Sequence, residues 1–596
     1  MSRLSDDLAL TLQQHREVLV TAIQGIEPAP HRRTYAQVLL NRLLLLHGLQ
    51  RSGWLGKGDD WYVQNLLGQS RDRFYRQTLK PLLYQGLGLP ERERPLAIHS
   101  QFGSLPYLGS VLFAPHPLEA DYPQLDLPDE PFEIILAWLA EQDWAWQTPE
   151  EEVPHILNPG RLAVAFEALI NGQTGKPQGS TPEQLAELGD RSIHAYILAE
   201  LQRRTGQAFA SMDALEAALT DELGESLGQI LPEITVLDPA CGSGRFLLMT
   251  LHCLQRLYQR CLDQGCDLFP LQAQPHPPTP NLDWEIAHHI VTHSLYGVDI
   301  DPAAIDTTRT QLALALLATV PKAAPLPPLN VNLQVGNSLI GFIQVDEEGF
   351  DQVPPKKNAA PETALQGNLL QPLVAESYRA ILTEKHLRTE DYRAQSQALA
   401  ETGALPPALQ GEFLRDRLEA LDHAAQAKLN QLLLNQFSQA LGIRIIFPKR
   451  QGRLRRRLLT QADIMALMPF HWGFHCHERF TQRDGFDVVI AQAPPGTFRA
   501  NPDRFYEQYQ AHFDALGIDL KTFKQNRQTL LRQQSILAEA WADYSGAISC
   551  SRQYFRRCSD YNPASAGTTQ QALYLSTLFN QRCQRLTQPL GITILV

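Results

Sequence analysis

A carboxylate, two glycines and a helix start follow one another closely in this chain. Residues 234–237 form a short apolar run that predicts a buried parallel strand, and Asp238 follows it directly. Doubly wound α/β folds bind ligands at the carboxyl edge of the sheet, so Asp238 is expected to face a ligand crevice. Gly242 and Gly244 permit a tight turn with close backbone approach, and the amides that open the next helix can bind a ligand carboxylate. The loop lacks the Gly-Lys-Ser/Thr of a phosphate-binding loop, which indicates a different ligand.

The same succession of strand and polar residue occurs twice more. Residues 296–299 read Tyr-Gly-Val-Asp and place Asp299 at the end of a second strand, where an acidic side chain accepts hydrogen bonds from ribose hydroxyls. Asp301 precedes Pro302, a pair typical of a helix start, so we interpret Asp301 as a structural N-cap. Residues 333–337 read Leu-Gln-Val-Gly-Asn and predict a third strand with Asn337 in the following turn.

The whole string of residues 236–247, Val-Leu-Asp-Pro-Ala-Cys-Gly-Ser-Gly-Arg-Phe-Leu, resembles the S-adenosylmethionine loop of class I methyltransferases. The resemblance implies S-adenosyl-L-methionine as cofactor, bound on an α/β, Rossmann-like sheet, with Asn337 beside the adenine ring. A glycine-rich turn can also be only a tight connection between a strand and a helix. The order of the three strings favours the cofactor site.

Further strings resemble the gamma-class DNA adenine N6-methyltransferases, specifically the methylase portion of type IIG restriction-modification enzymes and related phage-defence methylases. The matching strings include residues 36–46, 50–55, 165–170, 469–472 and 485–490, and they extend with gaps from about residue 35 onward. The resemblance implies double-stranded DNA as substrate and transfer to the exocyclic amine of a flipped adenine. It also places four more residues at the cofactor: Thr181, Ala240, Phe246 and Ile300.

The catalytic turn of that family is altered in this chain. The family has Asn/Asp-Pro-Pro-Tyr/Phe, in which an oxygen accepts the amine hydrogens and the ring stacks on the base. The corresponding residues here are Gln492, Ala493, Pro494, Pro495, Gly496, Thr497 and Phe498. Ala493 therefore stands at the acceptor position and Gly496 at the stacking position. Gln492 and Phe498 offer an amide and a ring nearby, but a reshaped loop would be needed, and loss of one preorganised group costs about 10²- to 10³-fold in rate.

Four regions are expected along the chain. They are an N-terminal helical connector domain (1–175), the cofactor-binding half of the methyltransferase core (176–345), a helical insertion (346–445) and the catalytic half (446–596). Residues 592–596 predict the fifth strand of the sheet, with the core truncated after it. The resemblance implies two further strands and a target-recognition region, which a second polypeptide would have to supply.

Composition limits the functions that the chain can have. The 596 residues are 44% hydrophobic and 19% charged, which is typical of a soluble globular protein. The net charge of −12 means that a DNA-binding surface must concentrate positive charge locally. One such concentration consists of Lys449, Arg450, Arg453, Arg455, Arg456 and Arg457. It can contact phosphates or form a solvated, mobile face, and the sequence does not decide between the two.

Targeting and metal signals are weak. The apolar run at 43–46 is interrupted by Arg42 and His47, so no membrane span or signal peptide is expected. Eight scattered cysteines without a Cys-x-x-Cys pair favour reduced thiols and a cytoplasmic location. The segment His475-Cys476-His477 lacks a second ligand pair, so it is interpreted as the approach to a strand, and no metal site is predicted.

Three hypotheses follow. The first is a site-specific DNA adenine N6-methyltransferase that uses S-adenosylmethionine in a restriction-modification or phage-defence system. The second is a catalytically inactive, methyltransferase-like subunit that binds S-adenosylmethionine, DNA or both. The third is one half of a split methyltransferase. No nuclease motif is found upstream of the helical connector.

Overall fold

A computed structural model describes most of the chain. The described residues are 3–70, 73–146, 153, 155–170, 182–266, 282–319, 325–353, 377–402, 411–448, 454–561 and 572–596. Thr181 and three of the six cations at 449–457 lie outside them.

The N-terminal region is helical. Its α-helices are α1 (Arg3–Ala22), α2 (Ala29–Arg51), α3 (Tyr62–Gln69), α4 (Leu96–Phe102), α5 (Pro117–Asp121), α6 (Glu130–Ala140) and α7 (Pro159–Ile170). Between them lie π-helical turns at Phe74–Leu79 and Pro81–Leu87, 3-10 turns at Glu91–Glu93 and Val111–Phe113, and a short parallel pair, β1 (Asp143–Trp144) and β2 (Ile156–Leu157).

Helix α2 is buried from Tyr35 to Gln50, as expected for a helix that is apolar on nearly every face. It packs on α14 (Pro302–Leu317), a helix of the central α/β region. Asn41, within α2, donates a 2.8 Å hydrogen bond to the carboxylate of Asp306 in α14. The N-terminal helices therefore share one hydrophobic core with the sheet region that follows.

Five parallel strands form the central sheet. They are β3 (Val236–Asp238), β4 (Leu295–Asp299), β5 (Leu333–Val335), β8 (Phe486–Ala491) and β9 (Thr587–Leu595), in the spatial order β5-β4-β3-β8-β9. Counted within the sheet, this order is third, second, first, fourth and fifth, which is that of a doubly wound, Rossmann-like sheet. The molecule therefore has the expected class I methyltransferase-like fold.

Helices flank this sheet. Before and between β3 and β5 they are α8 (Pro182–Gly189), α9 (Ala195–Thr205), α10 (Met212–Ala217), α11 (Asp221–Glu233), α12 (Arg245–Asp263), α13 (Leu282–His289) and α14, with π-helical turns at Asp190–His194 and Ile290–Ser294. Asp301 caps α14 by accepting a 3.0 Å hydrogen bond from the N–H of Ala303, which confirms its interpretation as an N-cap.

A helical segment and a β-hairpin separate β5 from β8. The helices are α15 (Glu347–Gln352), α16 (Tyr378–Thr402) and α17 (Gly411–Asn435), followed by a π-helical turn at Gln436–Ala440. The antiparallel hairpin consists of β6 (Ile445–Pro448) and β7 (Leu454–Arg457), and α18 (Gln461–Met465), α19 (Trp472–His475) and α20 (His477–Arg483) lead into β8.

The connection from β8 to β9 is a helical segment that the sequence reading did not foresee. It contains α21 (Pro502–Gln508), α22 (Gln510–Ala515), α23 (Leu520–Gln533), α24 (Ser535–Arg557) and α25 (Leu575–Leu586). Helices α21 to α24 enclose an aromatic cluster of their own around Phe505, Phe513 and Phe523. Residues 592–595 then pair with β8, as predicted for a fifth strand.

Strand β9 makes a wide bulge around Asp487. The partner of Phe486 is Thr587 and that of Val488 is Ile592, so residues 588–591 lie opposite Asp487 alone. The buried carboxylate of Asp487 accepts hydrogen bonds from the Thr235 N–H at 2.8 Å and the Tyr196 hydroxyl at 2.6 Å. The Gln588 amide adds a third hydrogen bond at 2.7 Å. One carboxylate thus joins β8 to β3, to β9 and to α9.

All eight cysteines are free thiols. Among the described helices, none is both long enough and apolar enough to cross a membrane.

Candidate cofactor and target-base site

The glycine loop and the second strand meet at the carboxyl edge of the sheet. Asp299 accepts a 2.9 Å hydrogen bond from the N–H of Gly242 through one oxygen and another from the N–H of Asp301 through the second. The hydroxyl of Thr308 in α14 donates to the carbonyl of Gly242 at 2.9 Å. Two of the three predicted strings therefore form one structural unit.

Backbone conformation explains the glycines. Gly242 and Gly244 have φ angles of +53° and +84°, in the left-handed region that L side chains rarely adopt. A Cβ atom on Gly244 would also lie 2.7 Å from Cγ2 of Thr308. Gly244 is the N-cap of α12, so the loop delivers the free amides at the start of α12 to the same edge of the sheet.

Asp238 carries a buried carboxylate with one unpaired oxygen. Its Oδ1 accepts a 3.0 Å hydrogen bond from the N–H of Ala240, whereas its Oδ2 is buried and has no partner among the described residues. Burial, with a smaller contribution from the nearby Asp299, raises the pKa of Asp238 to about 8. Buried polar atoms are nearly always paired in proteins, so this oxygen indicates a place for a ligand N–H or cation.

This raised pKa leads to a pH prediction for the cofactor-free protein. Asp238 keeps its proton in the folded state up to about pH 8, whereas the unfolded chain loses it near pH 4, so its contribution to stability is lost as pH rises through this window. Replacing Asp238 by Asn removes the titration. We expect the melting temperature of D238N to fall less than that of wild type between about pH 5 and about pH 8.

The exposed Asp221 of α11 provides a matched control, because D221N makes the same chemical change on the surface. Its pH profile should follow that of wild type. Equal slopes for D238N and wild type would contradict the protonated, buried state of Asp238.

The third string forms a turn whose polar groups face protein. The Asn337 side-chain amide donates to the carbonyl of Leu467 at 3.1 Å, and its oxygen accepts the N–H of Leu339 at 3.1 Å. Its backbone N–H donates to the carbonyl of Met468 at 2.7 Å. Asn337 is thus placed at the same edge of the sheet as Asp299, and its side chain also ties this turn to the approach to α19.

Arg582 of α25 holds the same turn from behind. Its fully buried guanidinium donates to the carbonyls of Ser338 (2.9 Å), Leu339 (3.2 Å) and Gly341 (2.9 Å). It also lies 3.5 Å from the carboxylate of Asp560. The sequence offered no signal for this role, because an arginine in an amphipathic helix is ordinarily a surface residue.

Arg582 gives a stability prediction. A lysine keeps the charge but lacks the planar fork, so it cannot reach all three carbonyls together. Ser338 and Leu339 keep the indole N–H of Trp472 and the hydroxyl of Tyr561 as donors, so the loss falls mainly on the buried carbonyl of Gly341. R582K should lower the free energy of unfolding by about 2–3 kcal/mol. The half-exposed Arg585 also faces Asp560, at 3.1 Å, so R585K serves as the control and should change stability by less than about 0.5 kcal/mol. Chemical denaturation measures the free energy of unfolding of both variants. Equal losses in R582K and R585K would contradict the role of Arg582 in holding this turn.

The remaining predicted cofactor residues differ in position. Ala240 is half-buried in the glycine loop, Phe246 is buried at the start of α12, and Ile300 follows Asp299 with its side chain 52% exposed. These three lie on the loops and helix start at the carboxyl edge. Thr181 lies outside the described residues.

The predicted catalytic turn follows β8 at the same edge of the sheet. Phe498 is fixed through its backbone, because its N–H donates to the carbonyl of Leu573 at 2.7 Å. Its ring packs edge-on against Phe555 of α24, with centroids 5.2 Å apart. Ala493 packs beside the same hydrophobic cluster. The Phe498 ring is therefore half-buried, with one side packed against this hydrophobic cluster.

Gly496 adopts a φ of +99°, and a Cβ atom built on it would meet open space. A larger side chain at Gly496, where the family has its aromatic residue, would therefore meet no neighbouring atom. Its backbone would nevertheless have to adopt a φ angle that residues other than glycine rarely take. Gln492 is half-buried, and in the described part of the chain its amide makes no side-chain hydrogen bond. Pro494 is half-buried and Pro495 is exposed, so both prolines lie at the rim of the turn.

Two other sequence features have a structural role. His471 is buried, accepts the N–H of Phe342 at 3.3 Å and pairs with Asn430 at 3.2 Å. Neither of the two groups of closely spaced potential metal ligands in the described residues includes the segment 475–477.

In the basic segment at 449–457, Arg457 forms an ion pair with Asp463 at 2.5 Å, and Arg456 is exposed.

Comparison with known proteins shows similarity to DNA methyltransferases. Residues 215–321, which contain the glycine loop, α12, β4 and α14, match the model of the MmeI DNA-methyltransferase domain. The match lies within the region predicted to bind the cofactor (176–345) and does not reach the turn after β8.

A putative type II restriction enzyme and methyltransferase of Methanocaldococcus jannaschii is 24% identical over 506 residues, which is 78% of this chain. The chain spans only 41% of the length of that relative. A solved structure of MmeI, a type IIL restriction-modification enzyme in complex with DNA, aligns with 76% of this chain and 56% of its own, at 15% identity and a TM-score of 0.37. The chain is thus similar to methyltransferases of restriction-modification systems.

Proposed function

We propose that this chain is a DNA adenine N6-methyltransferase that uses S-adenosylmethionine within a restriction-modification or phage-defence system. The observation that carries the proposal is the joined glycine loop and Asp299, with the unpaired, buried oxygen of Asp238 beside them. The similarity of residues 215–321 to a DNA-methyltransferase domain supports it.

The donor set fits this cofactor. The free amides at the start of α12 suit the cofactor's carboxylate, Asp238 suits its ammonium group, and Asp299 suits the ribose hydroxyls. Bound S-adenosylmethionine would supply an activated methyl group. Because these contacts all lie at the carboxyl ends of β3 and β4, the turn after β8, the neighbouring strand, is where a target base would have to enter.

Two side chains of that turn are polar, Gln492 and Thr497, and only that of Gln492 carries an amide. Gln492 has an amide oxygen that is not committed to another described residue, so it can accept a hydrogen of the adenine amine. Pro494 can contribute its carbonyl. The lone pair of the exocyclic amine is delocalised into the adenine ring, which makes this nitrogen a poor nucleophile. Hydrogen bonds that accept the amine hydrogens would localise the lone pair on the nitrogen, so that it can attack the methyl group.

The test measures binding and transfer separately. Calorimetry with S-adenosylmethionine reports binding, and mass spectrometry of digested, initially unmethylated genomic DNA reports N6-methyladenine. We expect micromolar or tighter binding and slow methylation. Failure to bind the cofactor would overturn the proposal.

If methylation is detected, Gln492 gives a further prediction. Q492A should lower the methylation rate at least about tenfold, because the amide oxygen proposed to accept the amine hydrogen is removed. The exposed Gln508 of α21 supplies the control, and Q508A should retain the wild-type rate. Equal rates for Q492A and wild type would exclude Gln492 from the base pocket.

The second candidate is a non-catalytic subunit that binds S-adenosylmethionine and DNA. The specific observation in its favour is that the Phe498 ring is packed against Phe555, while Ala493 and Gly496 offer neither acceptor nor ring. Cofactor binding without any methylation, even with the neighbouring gene's product added, would select this candidate.

A partner polypeptide also remains a prediction. In the described residues β9 pairs only with β8, and Leu590 is 61% exposed in the bulge of β9. Further strands from a second polypeptide would add at this outer edge. A second polypeptide that co-purifies with this chain, and without which no DNA is methylated, would support a split enzyme.

A further inference from the structure

Three side chains of different chemistry meet where the helical run from α8 to α9 packs on α12. Asp190 and His194 lie four residues apart in the π-helical turn, hence on one face, and Cys253 faces them from α12. His194 Nε2 is 3.7 Å from Asp190 Oδ1, and Cys253 Sγ is 3.8 Å from Asp190 Oδ1 and 4.0 Å from His194 Nε2. Each of the three potential ligand atoms therefore lies within 4.0 Å of the other two.

These separations match those of ligands around one ion. Zinc–sulfur and zinc–nitrogen bonds of about 2.3 and 2.1 Å, at tetrahedral angles, place neighbouring ligand atoms about 3.4–3.6 Å apart. The observed separations exceed this range by a few tenths of an ångström. The imidazole and the carboxylate are too far apart for a direct hydrogen bond. The thiol of Cys253 makes only long, weak hydrogen bonds, to Asp190 Oδ1 and to His194 Nε2, which an ion would replace.

We propose that Asp190, His194 and Cys253 form a site for a zinc-type divalent cation. A thiolate and an imidazole favour Zn²⁺ over Mg²⁺ or Ca²⁺, and a thiolate with a carboxylate balances the charge of the ion. Cys253 is 2% exposed, whereas the side chains of His194 and Asp190 are 23% and 43% exposed, so the site is anchored in the core and open to solvent on one side. Water can fill the fourth position.

A metal ion at this site would link α12 to the helical run from α8 to α9, and α12 begins directly after the glycine loop. Helix α12 starts at Arg245, directly after the glycine loop, and α8 starts at Pro182, directly after the predicted cofactor residue Thr181. Asp190 directly follows the end of α8, eight residues after Pro182, and Cys253 lies eight residues after Arg245. A bound ion would therefore fix the spacing between the two helices at a point away from the cofactor itself.

Arg256 is the charged neighbour that opposes a cation. Its guanidinium lies 3.4 Å from Asp190 Oδ1, and its side chain is 58% exposed, so it can move into solvent when an ion binds. The second group of potential ligands in the described residues, His386, Glu390 and Glu478, is less suited. Asp190 and Glu390 both accept a hydrogen bond from an arginine, but that from Arg393 to Glu390 is short, at 2.8 Å, and that from Arg256 to Asp190 is long, at 3.4 Å. The side chain of Arg393 is 8% exposed, so it cannot move into solvent as that of Arg256 can.

Cobalt provides a direct readout in the full-length chain. The protein is stripped with a chelator and titrated with Co²⁺ in the absence of S-adenosylmethionine. We expect a thiolate-to-cobalt absorption band in the near ultraviolet, saturating at one ion per chain, and its loss when Zn²⁺ is added. Because the cofactor is absent, the result is independent of the proposed methyltransferase function.

Four variants decide the ligands. C253S should lose the band, whereas C261S, which changes another buried thiol of α12, should keep it. D190N should bind at least about tenfold more weakly, since even outer partners of metal ligands cost about that much. R256Q should bind more tightly than wild type. Absence of the band in wild type, its survival in C253S or unchanged affinity in the well-folded D190N would overturn the proposal.

Discussion

Replacement of Asp487 by asparagine is expected to lower the free energy of unfolding by about 3 kcal/mol. The carboxylate is fully buried and accepts hydrogen bonds from Thr235, Tyr196 and Gln588. An amide in its place turns one acceptor into a donor that faces other donors. The oxygen of an asparagine can keep both donors of Thr235, so its amide nitrogen faces the other three partners. The Tyr196 hydroxyl and the Gln588 amide can turn and accept, but the Arg483 guanidinium, 3.4 Å away, can only donate and loses its carboxylate partner. Urea denaturation measures the loss.

Asp484 supplies the matched control. It lies three residues earlier, is exposed and has a φ of +58°, a conformation that asparagine also tolerates. D484N should therefore change stability by less than about 0.5 kcal/mol. If D487N were as stable as D484N, Asp487 would not join the three strands as described.

Replacement of Asp299 by alanine is expected to weaken S-adenosylmethionine binding at least about 100-fold, or about 3 kcal/mol. The carboxylate has two tasks in the proposed site. It holds the glycine loop through the N–H of Gly242, and it would receive the ribose hydroxyls of the cofactor. A hydrogen bond to a charged group contributes about 1.5–3 kcal/mol, so losing both tasks accounts for the expected effect. Calorimetric titration of D299A measures it.

Asp301 separates cofactor binding from simple destabilisation. D301A removes the N-cap of α14, which should cost about 1 kcal/mol of stability. Its cofactor affinity should stay within about threefold of wild type, since its backbone N–H to Asp299 is retained. Wild-type affinity in D299A would remove Asp299 from the site.

Local sequence patterns were sufficient to predict strands β3, β4 and β5 and the polar residues at their ends. A buried strand followed by Asp238 or Asp299 is readable because strand, carboxylate and turn lie within a few residues. The same holds for the N-cap at Asp301. The fold class then follows, since three such strands in order restrict the sheet to few topologies.

The parts that were missed depend on contacts between distant residues. Arg582 reaches the carbonyls of Ser338 and Gly341, and the partners of Asp487 come from three separate regions of the chain. No local pattern encodes such pairs. The grouping of His194 with Cys253 has no sequence signature either, because metal-binding motifs are recognised by ligands within short segments and these two residues lie far apart in the chain. The packing of Phe498 against Phe555 likewise depends on where α24 lies.

The pairing of Val236 with Val488 has a consequence for how the protein forms during synthesis. Strands β3, β4 and β5 are complete once residue 335 has been made, but β8 is added only after residues 336–485. In that interval the edge of β3 that later receives β8 is open, and an open strand edge is a template for pairing with other chains. We therefore expect the yield of the folded protein to depend on chaperones more than that of proteins whose central strands are adjacent in sequence.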